Sequence, residues 1–369
     1  MWIGLSDRRI PAGPQVEELP AVKPNPLSKR QIDLFSISML QAASRCLQAW
    51  PAVGRAAAAA ARAAPRRLQS TQAAPGVSDG PVYIVFGATG GIGSALSRRL
   101  ARHAGATLVL SSHDEARLKE TAARLQAGGG GGGEGRQEGG AGAAAAVSFA
   151  TADAMNPEAV DHVVLNALAE HGRVDAVACC IGNVEARSLL ATPLKELDRI
   201  LKLNLHTQFN VLQASVKAML SNEGHRRAVQ AGGHQEIVRP DPAGGAVVMV
   251  SAALAGHGVP NYAAFAAAKA GVEGLMRAAA ATYAPHRVRV NYIAPGLVAT
   301  PQTEKFTENE QIRGASEEMH PSKRLTNADE AAAAVKFLMA GPGAVTGQVL
   351  AVDGGLSTLH PGRVQDFCA

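Results

Sequence analysis

The sequence predicts an α/β protein: a doubly wound parallel sheet in a single domain, preceded by an extended N-terminal segment. Three observations predict it. From Pro81 onward, short apolar runs alternate with longer helical stretches, the order that builds a parallel sheet covered on both faces. Gly87, Gly91 and Gly93 join the first run to the first helical stretch. Hydrophobic residues make up 47% of the chain but aromatics only 4%, so Ala and Gly supply much of a close-packed interior.

The elements follow in order. "VYIVFG" is a strand and "IGSALSRRLARHA" a helix; "TLVLSS" is a strand and "DEARLKETAARLQ" a helix opened by Asp114 as its cap. "AVSFATAD" is a strand, "PEAVDHVVLNALAEHG" a helix and "VDAVACCIG" a strand. "LKELDRILKLNLHTQFNVLQASVKAML" supplies long helical segments before the strand "GAVVMVSA". "NYAAFAAAKAGVEGLMRAAAATYAP" is a long helix, "VRVNYIAPG" a strand, "NADEAAAAVKFLMAG" a helix and "GQVLAVDGG" the last strand. Two segments interrupt this order. The Gly tract 127–146 and the polar stretch 221–245 read as flexible surface insertions in a domain spanning 81–360, followed by a tail, 361–369.

The 369 residues carry a net charge of +5, unevenly spread. Between Met39 and Gly76 stand Arg45, Arg55, Arg62, Arg66 and Arg67 with no Asp or Glu, in an Ala-rich context. Those are the features of an organelle presequence, mitochondrial by first choice and plastid by second, lying within an N-terminal extension 1–80. A basic linker or a nucleic-acid arm is the competing reading. Either Met1 or Met39 then serves as the start. No apolar run is long enough to span a bilayer. The basic excess sits largely in the presequence, which disfavours nucleic acid as a partner. Cys46, Cys179, Cys180 and Cys368 are too few and too poorly spaced for a disulfide framework or a zinc site, so no metal is expected.

The glycine cluster has the right context for a dinucleotide. Gly87, Gly91 and Gly93 permit a tight turn, let backbone amides approach a pyrophosphate, and lead into a helix N-terminus. The residue that would read the adenine ribose falls ~20 residues later, at the end of the second strand. Ser112 stands there, followed by His113, where an acid would favour NAD. Serine and histidine tolerate a 2′-phosphate better, so NADP is expected, with NAD as the alternative.

From Pro81 to Leu356 the chain resembles the short-chain dehydrogenase/reductase family, a Rossmann fold, and within it the 3-oxoacyl carrier-protein reductases. "GATGGIG" is similar to the family's glycine loop, with Phe86 where Thr is usual. "CCIG", ending at Gly182, takes the place of the family's Asn-Asn-Ala-Gly. Asp153 matches the residue that holds the adenine, Asn204 the helix asparagine of the proton relay, and "APGLVATP" the segment beside the nicotinamide. The resemblance implies a cofactor site of Gly87, Thr89, Gly91, Ile92, Gly93, Ser112, His113, Asp153, Gly182, Lys269, Pro295, Gly296 and Val298. It also implies a homo-oligomer paired through its long helices.

The family's proton-transfer residues are where the chain departs. Lys269 matches the catalytic lysine, but Phe265 falls on the tyrosine and Ala252 on the serine. In the family the tyrosine exchanges a proton with the substrate oxygen, the lysine lowers its pKa and holds the nicotinamide ribose, and the serine bonds the substrate. Phenylalanine has no exchangeable proton and alanine no donor. A lost general acid costs ~10²–10⁴-fold. Possible substitutes are Tyr262, one turn back, and Ser251, one position early and on the opposite side of its strand. Two functions remain open: a reductase of a small carbonyl or acyl substrate with altered proton transfer, or a non-catalytic NAD(P)H-binding protein. The segment Val298–His320 would select the substrate; it is polar, with no single anchor for a phosphate or an acyl carrier.

Overall fold

The computed structural model describes Ser78 and residues 80–127, 145–222 and 244–359, with the backbone of Gln69–Ser70. The predicted presequence apart from Gln69–Ser70, the bulk of both insertions and the tail 361–369 lie outside the described residues.

Seven parallel strands form the sheet: β1 (Val82–Phe86), β2 (Thr107–Ser112), β3 (Ala146–Thr151), β4 (Ala176–Cys179), β5 (Gly245–Val250), β6 (Val288–Pro295) and β7 (Val349–Val352). Their spatial order is β3-β2-β1-β4-β5-β6-β7, and Gln69–Ser70 pairs antiparallel with the β3 edge. The order reverses between β1 and β4, where Phe86 is paired with Cys179. In sheets of this kind that crevice, outside the carboxyl ends of the strands, is where ligands bind.

Helices cover both faces because β1 is apolar at every position. Val82, Ile84 and Phe86 face a core completed by α3 (Pro157–His171), α5 (Thr207–Ser221) and α6 (Ala263–Tyr283). Tyr83 and Val85 face the opposite core, closed by α1 (Gly91–Leu100), α2 (Glu115–Ala127) and α8 (Ala328–Ala340). Local chemistry sets the helix ends. Asn156 caps α3 by accepting from the Glu158 and Ala159 amides, Pro157 occupies the first turn, and the left-handed Gly172 ends it.

The long helical segment predicted after β4 is not one continuous α-helix. α4 (Leu194–Leu201) passes through a π turn, Lys202–His206, into α5. Single π turns recur at functional sites because the extra residue re-aims a side chain. The buried residue of this turn is Asn204. The segment after β6 is also more ordered than its composition suggests. It holds a short strand, Val298–Ala299, a 3-10 turn, a one-turn helix and α7 (Glu310–Met319). Among the described residues no helix is long and apolar enough to cross a membrane.

Candidate active site

The glycine loop leaves β1 at Gly87, whose φ of 77° favours glycine. The Gly87 and Ala88 amides donate to the Ser111 carbonyl, tying the loop to β2. A Cβ at Gly93 would stand 2.1 Å from the Gly87 carbonyl oxygen, so α1 presses directly on the loop. Gly90 precedes α1 with no side-chain cap, and the first turn carries no acid. The free amides and the positive end of the helix dipole therefore point at the crevice, which is the chemistry a pyrophosphate needs. The residues present fit a nicotinamide dinucleotide.

At the end of β2, the Ser112 hydroxyl shares a 2.7 Å hydrogen bond with Thr89. Asp114 accepts from the Arg117 amide and so caps α2, as expected. His113 is exposed beside them. Asp153 is exposed just past β3, and its carboxylate accepts from the Met155 amide.

Lys269, on α6, reaches the floor of the cleft. It is only 3% exposed, and its Nζ donates to the Val250 carbonyl at 3.2 Å. A Cβ at Gly182 would lie 2.7 Å from Lys269 Nζ and 2.9 Å from Asn204 Oδ1, so both groups converge on one bare backbone position. Asn204 is fully buried; it accepts from the Asn183 amide and donates to Asn183 Oδ1 and the Ile200 carbonyl. Burial pushes the Lys269 ammonium down to about 8, opposed by the nearby Cys179 thiol. Cys179 is itself pushed up to about 12 by burial. Cys179 is fully buried, whereas Cys180 is partly exposed and lines the cleft.

The other side of Lys269 is apolar. Phe265 is 2% exposed, with its ring centroid 5.8 Å from Lys269 Nζ. Ala252 lines the cleft and offers only a methyl group. The buried Ser251 hydroxyl donates to the Lys269 carbonyl at 3.1 Å and is already committed. Tyr262 sits just before α6 rather than inside it, following Asn261 at φ 67°. Its ring meets Phe265 edge-on at 6.2 Å, and burial raises its pKa. The geometry thus brings Lys269, Asn204 and Gly182 together and places Phe265 and Tyr262 on the wall beside them.

Pro295, Gly296 and Val298 line the same cleft from the end of β6. Several lining residues escape a reading of the sequence. Ile312, Ser316, Met319 and His320 come from α7 and its C-terminus. The polar composition of that segment hides a cleft-lining row, although the spacing of Ile312, Ser316 and Met319 is helical. His320 is 2% exposed; its Nδ1 meets the Ser316 carbonyl at 2.6 Å, and its Nε2 has no partner among the described residues. Gln302 donates to the Gly182 carbonyl at 2.7 Å, a contact across 120 positions that no local pattern signals.

This fold and this cleft define a dinucleotide-binding oxidoreductase. The chain belongs to the short-chain dehydrogenase/reductase family. The family model described as enoyl-(acyl carrier protein) reductase matches residues 87–239 and 233–357. A 3-oxoacyl-[acyl-carrier-protein] reductase of Chlamydia muridarum is 28% identical over 278 residues, 74% of this chain and 96% of that protein. A cis-4-hydroxycyclohexanecarboxylate dehydrogenase of Sinomonas cyclohexanicum is 30% identical over 284 residues, 75% of this chain and 97% of the relative. The crystal structure of a levodione reductase is similar with a TM-score of 0.61 and 27% identity, covering 76% of this chain and 98% of that one.

Proposed function

We propose that the protein is an NADP(H)-binding oxidoreductase that reduces a 3-oxoacyl-like carbonyl substrate with altered proton transfer. One observation carries this reading. Lys269 and Asn204 converge on Gly182, where a nicotinamide ribose can be held, while Phe265 occupies the wall where the family's tyrosine stands. When bound, the dinucleotide supplies hydride. Lys269 binds ribose hydroxyls, the glycine loop and α1 hold the pyrophosphate, and the apolar wall excludes water. The proton comes from a water held by Asn204 and Lys269, from Lys269 itself, or from an acidic group of the substrate.

NADP is favoured over NAD by the end of β2. Ser112 stands where a carboxylate would repel a 2′-phosphate, and the nearest acid, Asp114, is turned to cap α2. The 3-oxoacyl class rests on the similarity to the Chlamydia muridarum reductase. A homo-oligomer is supported by Leu189, Leu190, Leu194 and Phe209, all exposed on or beside α4 and α5. The Arg-rich, acid-free segment 39–76 supports import into a mitochondrion, with a plastid as the alternative.

The second reading is a non-catalytic NAD(P)H-binding protein, a sensor or a structural subunit. It is favoured by the buried Phe265, the donorless Ala252 and the committed Ser251 hydroxyl. Two measurements on the full chain separate the readings: titration with NADPH and NADH by nucleotide fluorescence, then reduction of a short 3-oxoacyl thioester. The first reading expects tighter binding of NADPH and slow turnover. Binding without turnover favours the second, and failure to bind either nucleotide overturns both.

A further inference from the structure

Gln208 lies one helical turn beyond Asn204 on α5, just past the π turn, and is fully buried. It does not line the cleft. Its Nε2 faces three backbone carbonyls: Ile181 at 2.9 Å, Val250 at 3.3 Å and Cys179 at 3.5 Å. Two of these belong to the supports of Lys269. The Val250 carbonyl is the one that accepts from Lys269 Nζ. Ile181 immediately precedes Gly182, the bare position between Lys269 Nζ and Asn204 Oδ1. The amide thus joins the loop after β4 to the end of β5, the two segments against which the lysine rests.

We infer that Gln208 is the positioning residue of Lys269, its side-chain amide clamping the ends of β4 and β5 at the separation that seats the lysine. A core-packing role does not account for it. Its Oε1 is buried with no partner among the described residues, a penalty that Met or Leu of similar size would avoid. What only the amide supplies is a pair of N–H donors aimed at carbonyls of the loop after β4 and of β5.

The clamp exists whether or not a nucleotide binds; the proposed function enters only through the second of two readouts. The full-length protein and its Gln208→Met variant are compared by side-chain NMR of the lysine Nζ groups across pH, then by NADPH titration. In the variant, Lys269 is expected to titrate about one unit higher as water reaches it. NADPH affinity is expected to fall about tenfold. The melting temperature is expected to stay level or rise, which separates positioning from stability. A folded Gln208→Met protein whose Lys269 titration and NADPH affinity match the natural chain overturns the inference. Should the natural chain bind no nucleotide, the proposed function fails while the Lys269 titration still decides this point. Should the Met variant not fold, the Gln208 side-chain amide signals are followed in Lys269→Met. A shift supports the clamp and unmoved signals overturn it.

Discussion

The two halves of the cleft differ in what they are made of. The nucleotide half is built from backbone: the glycine loop against β2, the open N-terminus of α1, and Gly182 bare beneath Lys269 and Asn204. The proton-transfer half depends on single oxygen atoms carried by side chains, and two of those are missing at Phe265 and Ala252. The difference shows how unequally a fold protects its chemistry. A change in the glycine loop breaks packing as well as binding. Phenylalanine fills the volume of tyrosine and lacks one oxygen, so the helix, the wall and the overall likeness to active relatives survive its loss. Fold similarity therefore reports the first half and is silent on the second.

The largest test restores the missing atoms. In Phe265→Tyr combined with Ala252→Ser, reduction of a 3-oxoacyl thioester should rise by ~10²–10⁴-fold in kcat/KM. NADPH affinity should change little, because the lysine side is untouched. A double variant that binds NADPH and stays at the natural rate would show that the two halves differ by more than these groups.

The lysine joins the halves, and its burial has a consequence for stability. Its folded pKa is about 8 against an ordinary 10.5, so between those values the unfolded chain holds more protons. Stability must then rise with pH across that window. The cost of the buried ammonium is complete below pH 8 and is relieved by about pH 10.5, a gain of about 3 kcal/mol. Lys269→Met should remove this rise from denaturant melts recorded at a series of pH values, and be the more stable protein at pH 7. A natural chain whose stability is flat from pH 8 to 10.5 would mean that the ammonium is solvated.

How much of each half can be read from the chain follows from the same difference. The alternation of strands and helices, the glycine loop and the matches at Asn204 and Lys269 lie in local patterns; the sheet order agrees with the alternation, and Asn204 and Lys269 meet at Gly182. Residues whose role depends on distant partners are not visible in that way. Gln208 looks like an ordinary helix residue until its amide is seen between β4 and β5. The segment Val298–His320 reads as polar because its cleft-lining residues Ile312, Ser316 and Met319 are interspersed with charged ones along α7. Tyr262 is placed in a helix by its Ala-rich surroundings, but with Asn261 left-handed the helix starts at Ala263, two residues later than the pattern suggests.

A smaller effect is expected from Gly93→Ala. The added methyl meets the Gly87 carbonyl at 2.1 Å, with backbone on both sides and no flexible group to yield. Overpacking of this kind costs about 1–3 kcal/mol, so NADPH affinity should weaken by about 10–100-fold and thermal stability should fall with it. Weaker binding without loss of stability would separate the loop from the core that supports it.

The smallest expected effect is that of Tyr262→Phe, and it tests whether the proton-transfer half is empty. Tyr262 precedes α6, and its ring lies edge-on to Phe265, the residue whose ring neighbours Lys269. Burial raises its pKa, which makes it a weaker acid than an ordinary tyrosine, whereas a working tyrosine needs its pKa lowered by the lysine. Removing the hydroxyl should change stability by less than about 0.5 kcal/mol and leave residual turnover within about twofold. A fall of ~10²-fold or more would make Tyr262 the proton donor. The acid would then have moved one turn along the chain, and the altered proton transfer would be a displaced group rather than a missing one.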